Sequence, residues 1–131
     1  MEEINLHIEV EINPTESLEK IKTAVTNVFG NMDFQVKPPH DARLLIGEAK
    51  GKQSLVRFSE LLRREHIRAA ARTVFSRNVE KKSIYFCLNK QVAYVGHLSF
   101  SNETAESPLG PIKVRIDCGD PREMVEWLTS M

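Results

Sequence analysis

Residues 4 to 12 alternate without a fault: Ile4, Leu6, Ile8, Val10 and Ile12 on one side, Asn5, His7, Glu9 and Glu11 on the other. A helix would scatter these side chains around its circumference; a strand sends successive ones to opposite faces. The segment therefore demands a sheet with one apolar face and one polar face. Something must cover the apolar face, and the next segment offers it. Leu18, Ile21, Val25, Val28 and Phe29 recur at helical spacing. Asn13-Pro14-Thr15 breaks the strand before them and offers an N-cap, and Gly30 is a C-cap.

The same two periods alternate along the chain. Phe34 and Val36 predict a short strand, Pro38-Pro39-His40-Asp41 a turn, and Leu44-Leu45-Ile46 a strand ended by Gly47 or Gly51. Ser54 to Leu62 reads as a helix, with Leu55, Phe58, Leu61 and Leu62 inward. A second helix runs to about Val79, with Ile67, Ala70, Ala71, Val74 and Phe75 inward and a break near Glu65-His66. Residues 83 to 89 and Val92 to Phe100 read as two strands. The short link Asn89-Lys90-Gln91 predicts an antiparallel hairpin between them. Ser101 to Ser107 reads as a loop, and Pro108-Leu109-Gly110-Pro111 as a tight turn. Ile112, Val114, Ile116 and Cys118 form a last strand. Asp120, Pro121 and Glu123 are the cap, first position and third position of a last helix docked by Met124, Trp127, Leu128 and Met131. The order β-α-β-β-α-α-β-β-β-α is that of an α+β fold: an antiparallel sheet with helices packed on one face.

At 131 residues the chain is expected to form a single domain, 1–131. Eighteen basic residues balance eighteen acidic ones, which argues against a strongly basic nucleic-acid coat protein. Two cysteines exclude a disulfide-rich scaffold, no apolar run reaches a membrane span, and the acidic start is unlike a signal peptide. A cytoplasmic protein is expected.

One stretch departs from the neutral balance. Residues 57 to 82 hold Arg57, Arg63, Arg64, Arg68, Arg72, Arg77, Lys81 and Lys82 against Glu60, Glu65 and Glu80. Arg64, Arg68 and Arg72 are spaced by four, a stripe that could address successive phosphates. Pairing of Glu60 with Arg64 and of Glu65 with Arg68 would turn the stripe into an ordinary solvated face. The polar sides of the first and last strands carry no aromatic, and Tyr85 is the single aromatic opposite Ile84, Phe86 and Leu88. Base stacking on the sheet is thus poorly supported, and no G-x-x-G loop occurs.

Catalytic and cofactor signals fail on count. Gly47 to Ser54 lies between a strand and a helix, but has three residues between its glycines where a phosphate loop needs four, and Gln53 stands where a hydroxyl should follow Lys52. Cys87 and Cys118 have no ligand-spaced neighbours and are expected in the core; no metal or cofactor is indicated. Cys87 and His97 would be neighbours across the hairpin, without a third orienting group. His7, His40, His66 and His97 form no cluster, and Asn102-Glu103-Thr104 is a sequon that a cytoplasmic chain would not use.

Leu62-Arg63-Arg64-Glu65-His66-Ile67-Arg68-Ala69-Ala70-Ala71-Arg72 resembles the mid-chain helix of an archaeal family, uncharacterised protein family 201, often labelled RNA-binding. Phe86 to Gly96 and Leu109-Gly110-Pro111-Ile112 carry the same likeness, which covers nearly the whole chain. The resemblance implies a fold similar to the RNA-binding domain of the ribosomal protein that holds 5S ribosomal RNA, and a homodimer. It brings no substrate or catalytic residues. The expectation is a noncatalytic binding module that binds protein or itself, with apolar Ala93 and Val95 on a strand face. The alternative is an RNA-binding protein contacting phosphates through Arg57, Arg63, Arg64, Arg68, Arg72, Arg77, Lys81, Lys82 and Lys90.

Overall fold

The alternating segment forms β1 (Asn5–Ile12), whose even-numbered side chains are buried throughout. The structure, a computed structural model, describes residues 3–37, 43–101 and 110–130. The expected turns at 38–41 and 108–111 fall wholly or partly outside those residues, as does most of the 101–107 loop. Helix α1 (Leu18–Phe29) follows β1, then β2 (Asp33–Lys37), β3 (Arg43–Lys50), α2 (Val56–Arg64) and α3 (Arg68–Arg77). The chain continues through β4 (Val79–Glu80), β5 (Ser83–Leu88), α4 (Lys90–Tyr94), β6 (Phe100–Ser101), β7 (Ile112–Asp117) and α5 (Pro121–Leu128).

All strand pairs are antiparallel, in the order β2-β3-β1-β7-β5-β4, and β6 also pairs with β5. Paired residues share a face, so the register builds rows across the sheet. On the open face, Asp33, Glu48, His7, Arg115 and Tyr85 make one row. The opposite face is apolar and carries the helices. Phe58 of α2 lies 5.0 Å from Phe29 of α1 and 5.4 Å from Phe86 of β5, and Phe75 of α3 lies 4.9 Å from Phe86. One aromatic cluster thus ties three helices to the sheet. Gly47 on β3 leaves room for Met32 and Phe34: a Cβ there would stand 2.6 Å from the Met32 sulfur and 3.2 Å from the Phe34 ring.

Several expectations shift. The α1 cap is Ser17, two residues later than Thr15, because Glu16 first folds back to accept hydrogen bonds from the Asn13 backbone and side-chain amides. Gly30 ends the helix at φ 83°, as expected. A short 3-10 turn, Lys52–Leu55, precedes α2. His66, at φ 58°, breaks α2 from α3 where the sequence placed the break.

The expected hairpin is wrong. Asn89 does not turn the chain between two strands; its side chain accepts the Val92 N–H at 3.0 Å and caps α4. The Asn27 amide of α1 donates to the Ala93 and Tyr94 carbonyls at the other end, at 3.2 and 2.9 Å. Both ends of this five-residue helix are therefore satisfied by side chains, one of them distant in sequence. Ala93 is buried, while Val95 is exposed rather than on a strand face. The chain rejoins β5 only at Phe100, opposite Leu88.

Lys90 follows its helix inward and is 5% exposed. Its ammonium donates to both Glu16 carboxylate oxygens, at 3.0 and 3.1 Å, and to the Glu11 carbonyl at 3.0 Å. Burial alone would raise the Glu16 pKa, but hydrogen bonds from Lys90 and Asn13 outweigh it and hold the carboxyl below its ordinary value. This clamp ties α4 to the turn between β1 and α1.

Candidate nucleic-acid interface

The break at His66 takes Arg64 off the helix that carries Arg68 and Arg72, so the three arginines do not form one stripe. Their partners also differ from the local pairs expected. Arg72 makes a bidentate pair with Glu126 of α5, at 2.8 and 3.1 Å. Arg68 donates to the Ser130 carbonyl at 2.9 Å. Glu65, expected to reach Arg68, accepts instead from the Leu98 N–H and lies 3.0 Å from the His97 ring nitrogen. Arg57 donates to the Asn27 carbonyl at 2.8 Å, and Lys90 is buried. These four candidates hold α2, α3, α4 and α5 in place, which removes Lys90 as a phosphate contact.

Arg63, Arg64, Arg77, Lys81 and Lys82 are exposed, and their side chains make no hydrogen bond or ion pair among the described residues. Arg63 and Arg64 close α2, where cations favour the carbonyl end of a helix. Arg77, Lys81 and Lys82 gather elsewhere, at the end of α3 and in the β4–β5 turn.

That second group borders a groove. β4 and β6 are two residues each and pair with opposite ends of β5, at Ser83–Ile84 and Cys87–Leu88. Between them Tyr85 and Phe86 have no strand beside them on that edge. The gap opens a groove of about 730 Å³ whose walls include Thr73, Arg77, Tyr85, Phe100 and Lys113. Tyr85 is 42% exposed and stands opposite Arg115 on β7. Arg77 and Lys113 line the same groove, and Arg115 is paired with Asp117 at 3.3 Å. Among the described residues Glu80 is the one carboxylate in the wall.

Sequence reasoning found Arg77, Lys81 and Lys82 but missed the groove and gave Tyr85 no role. The alternation of Ile84, Tyr85 and Phe86 does put Tyr85 outward. The register that sets Arg115 beside it joins residues far apart in sequence.

The other groups considered do not converge. Without the hairpin, His97 is held by Glu65 and is not set beside Cys87. Cys87 lies on the open face and not in the core as expected. Cys118 is buried, and burial, with Asp117 and Asp120 nearby, pushes its thiol up to about 11. It is protonated at neutral pH and a poor nucleophile. Among the described residues no group of three His, Cys, Asp or Glu is placed to hold a metal, and no helix is long and apolar enough to cross a membrane.

An antiparallel α+β sheet with helices on one face and a basic groove at one edge defines the class. A family model described as RNA binding matches residues 5–118. UPF0201 proteins of the archaea Sulfurisphaera tokodaii and Sulfolobus acidocaldarius are each 40% identical over 122 residues, covering 93% of this chain and 84% of theirs. The chain belongs to this uncharacterised archaeal family. The crystal structure of a UPF0201 protein from Methanococcus jannaschii superposes with a TM-score of 0.84 at 28% identity, covering 95% of this chain and 98% of that one. A second UPF0201 crystal structure gives 0.80 at 30% identity, covering 97% and 94%.

Proposed function

We propose that the protein is a noncatalytic RNA-binding module whose contact surface is the broken β5 edge. The observation that carries this reading is the half-exposed Tyr85 ring in a groove walled by Arg77 and Lys113, with exposed Lys81 and Lys82 following the wall residue Glu80 in the chain. The family model's description supports the same ligand class. An aromatic face accepts any base, and such stacking is worth about 1–3 kcal/mol per base. Cations around it take the flanking phosphates. An exposed ring in a groove suits an unpaired segment, whose bases can splay onto it, better than a duplex. The neutral overall charge fits local and not pervasive attraction. A second reading, self-association, is favoured by β2 at the opposite edge of the sheet.

The test is fluorescence anisotropy with single-stranded and structured RNA across a salt series. Affinity falls as salt rises, and the variant Arg77→Ala/Lys81→Ala/Lys82→Ala lowers the log–log slope by about 2 units, since each neutralised single-strand phosphate contributes roughly 0.7. Tyr85→Ala weakens binding without changing the slope. Absence of binding at low salt, or a slope unmoved by the triple change, overturns the proposal.

A further inference from the structure

We propose that the groove at the β5 edge selects guanine, and that the Glu80 carboxylate is the group that reads it; this rests on the RNA-binding reading above and names the base that the Tyr85 ring takes. Glu80 and Asp117 both stand opposite Ser83, one on each side of β5. Paired residues share a face, so both carboxylates lie on the open face with Tyr85, each one diagonal step from it. Diagonal neighbours are about 7–8 Å apart, within reach of long and aromatic side chains. The two carboxylates differ in what holds them. Asp117 accepts the Ser83 hydroxyl at 2.5 Å and pairs with Arg115 at 3.3 Å. Glu80 is exposed and lines the groove, and its side chain makes no hydrogen bond or ion pair among the described residues. Arg77 lines the same groove and does not pair with it.

A free carboxylate is a poor seat for a phosphate, because like charges repel. It accepts hydrogen bonds only, through two oxygens side by side. Unpaired bases offer their Watson–Crick edges to such side chains while they stack on aromatic rings. Guanine presents two adjacent donors on that edge, N1–H and the 2-amino group, and one carboxylate accepts both. Adenine and cytosine present an amino group beside an acceptor nitrogen, and uracil presents an N–H between two carbonyls. With any of those three, the second carboxylate oxygen faces a lone pair instead of a donor. Hydrogen bonds to an ionised acceptor are the stronger class, so the guanine contact outweighs what the other bases can make. The Tyr85 ring supplies stacking to every base, and Glu80 supplies the choice among them. Arg77 remains for the phosphate.

Anisotropy titrations of the full chain with short uridine oligomers test this, one central residue being guanosine, inosine, adenosine, cytidine or uridine. The guanosine oligomer binds about tenfold more tightly than the adenosine one. Inosine lacks the 2-amino group and loses most of that advantage. Glu80→Gln keeps the size of the side chain and removes its charge. It abolishes the preference for guanosine and tightens binding of the all-uridine oligomer, because the repulsion of phosphate is gone. A carboxylate that is merely solvated would instead give a variant that binds every oligomer more tightly by the same factor, and that result overturns the proposal. Binding without preference for guanosine also overturns it and leaves the groove standing as a general RNA site. A preference that survives Glu80→Gln, or that inosine retains in full, overturns the assignment to Glu80. Failure of every oligomer to bind at low salt overturns the groove reading itself, and this proposal with it.

Discussion

The two edges of the sheet solve the same problem in opposite ways. β2 is five residues long, regular, and charged with opposite signs at its ends. The β5 edge is interrupted: two-residue strands cover its ends, and between them no strand runs beside Tyr85, whose N–H donates to the Asn78 carbonyl at 3.0 Å. A regular edge with complementary ends fits another strand. An interrupted edge exposes a ring and invites a ligand with flat bases and anionic links. The difference teaches that strand length at a sheet margin, set by where neighbouring helices return the chain, decides what that margin leaves exposed.

The largest expected effect comes from undoing what shapes the β5 edge. α4 determines where β6 rejoins β5, and Lys90 anchors α4. Lys90→Met leaves the Glu16 carboxylate buried without its cation and costs about 3–5 kcal/mol, read by urea denaturation at neutral pH. The dependence on pH also changes. In the wild type the Glu16 pKa is lowered on folding, so its contribution is present above the ordinary value of 4.5 and is lost as pH falls through the lowered one. In the variant the Lys90 contribution is gone and the two Asn13 hydrogen bonds remain, so less stability is lost on acidification through the same range.

Next in size, Tyr85→Ala weakens RNA binding by about 1–3 kcal/mol in anisotropy titrations, with an unchanged melting temperature. Charge exchange at β2 sharpens the comparison from the other side. Asp33→Lys lowers self-association and leaves the intrinsic affinity of one groove for a short RNA unchanged, because the two edges are separated by β3, β1 and β7. A matched loss of both activities would mean that the edges are one site. The smallest effect is at Arg72. Its exposed pair with Glu126 contributes only about 0.5 kcal/mol to stability, measured by a double-mutant cycle.

Regular segments with a single buried face were legible in the sequence. The alternation of β1 and β7 and the helical spacing of α1 and α5 depend only on local period, and all four appear where that period placed them. The failure at Val92–Phe100 has a definite cause. Asn89 serves equally well in a turn and at an N-cap, and the side chain that closes the other end of α4 is Asn27 on another helix. The basic stretch was legible as composition but not as allocation. Arg72 finds Glu126 and Arg68 finds Ser130 on an element formed at the far end of the chain. Only the fold shows that Arg77 lines a groove while Arg68 and Arg72 are taken up by α5 and its end.

The central claim is that RNA is bound at the β5 edge and not along the arginines of the helical layer. The most direct test compares the salt dependence of RNA affinity in two triple variants, one changing Arg77, Lys81 and Lys82 to alanine, the other changing Arg57, Arg68 and Arg72. The account predicts a flattened slope in the first and a wild-type slope in the second, once its folding is verified by circular dichroism. A wild-type slope in the first and a flattened one in the second would contradict it.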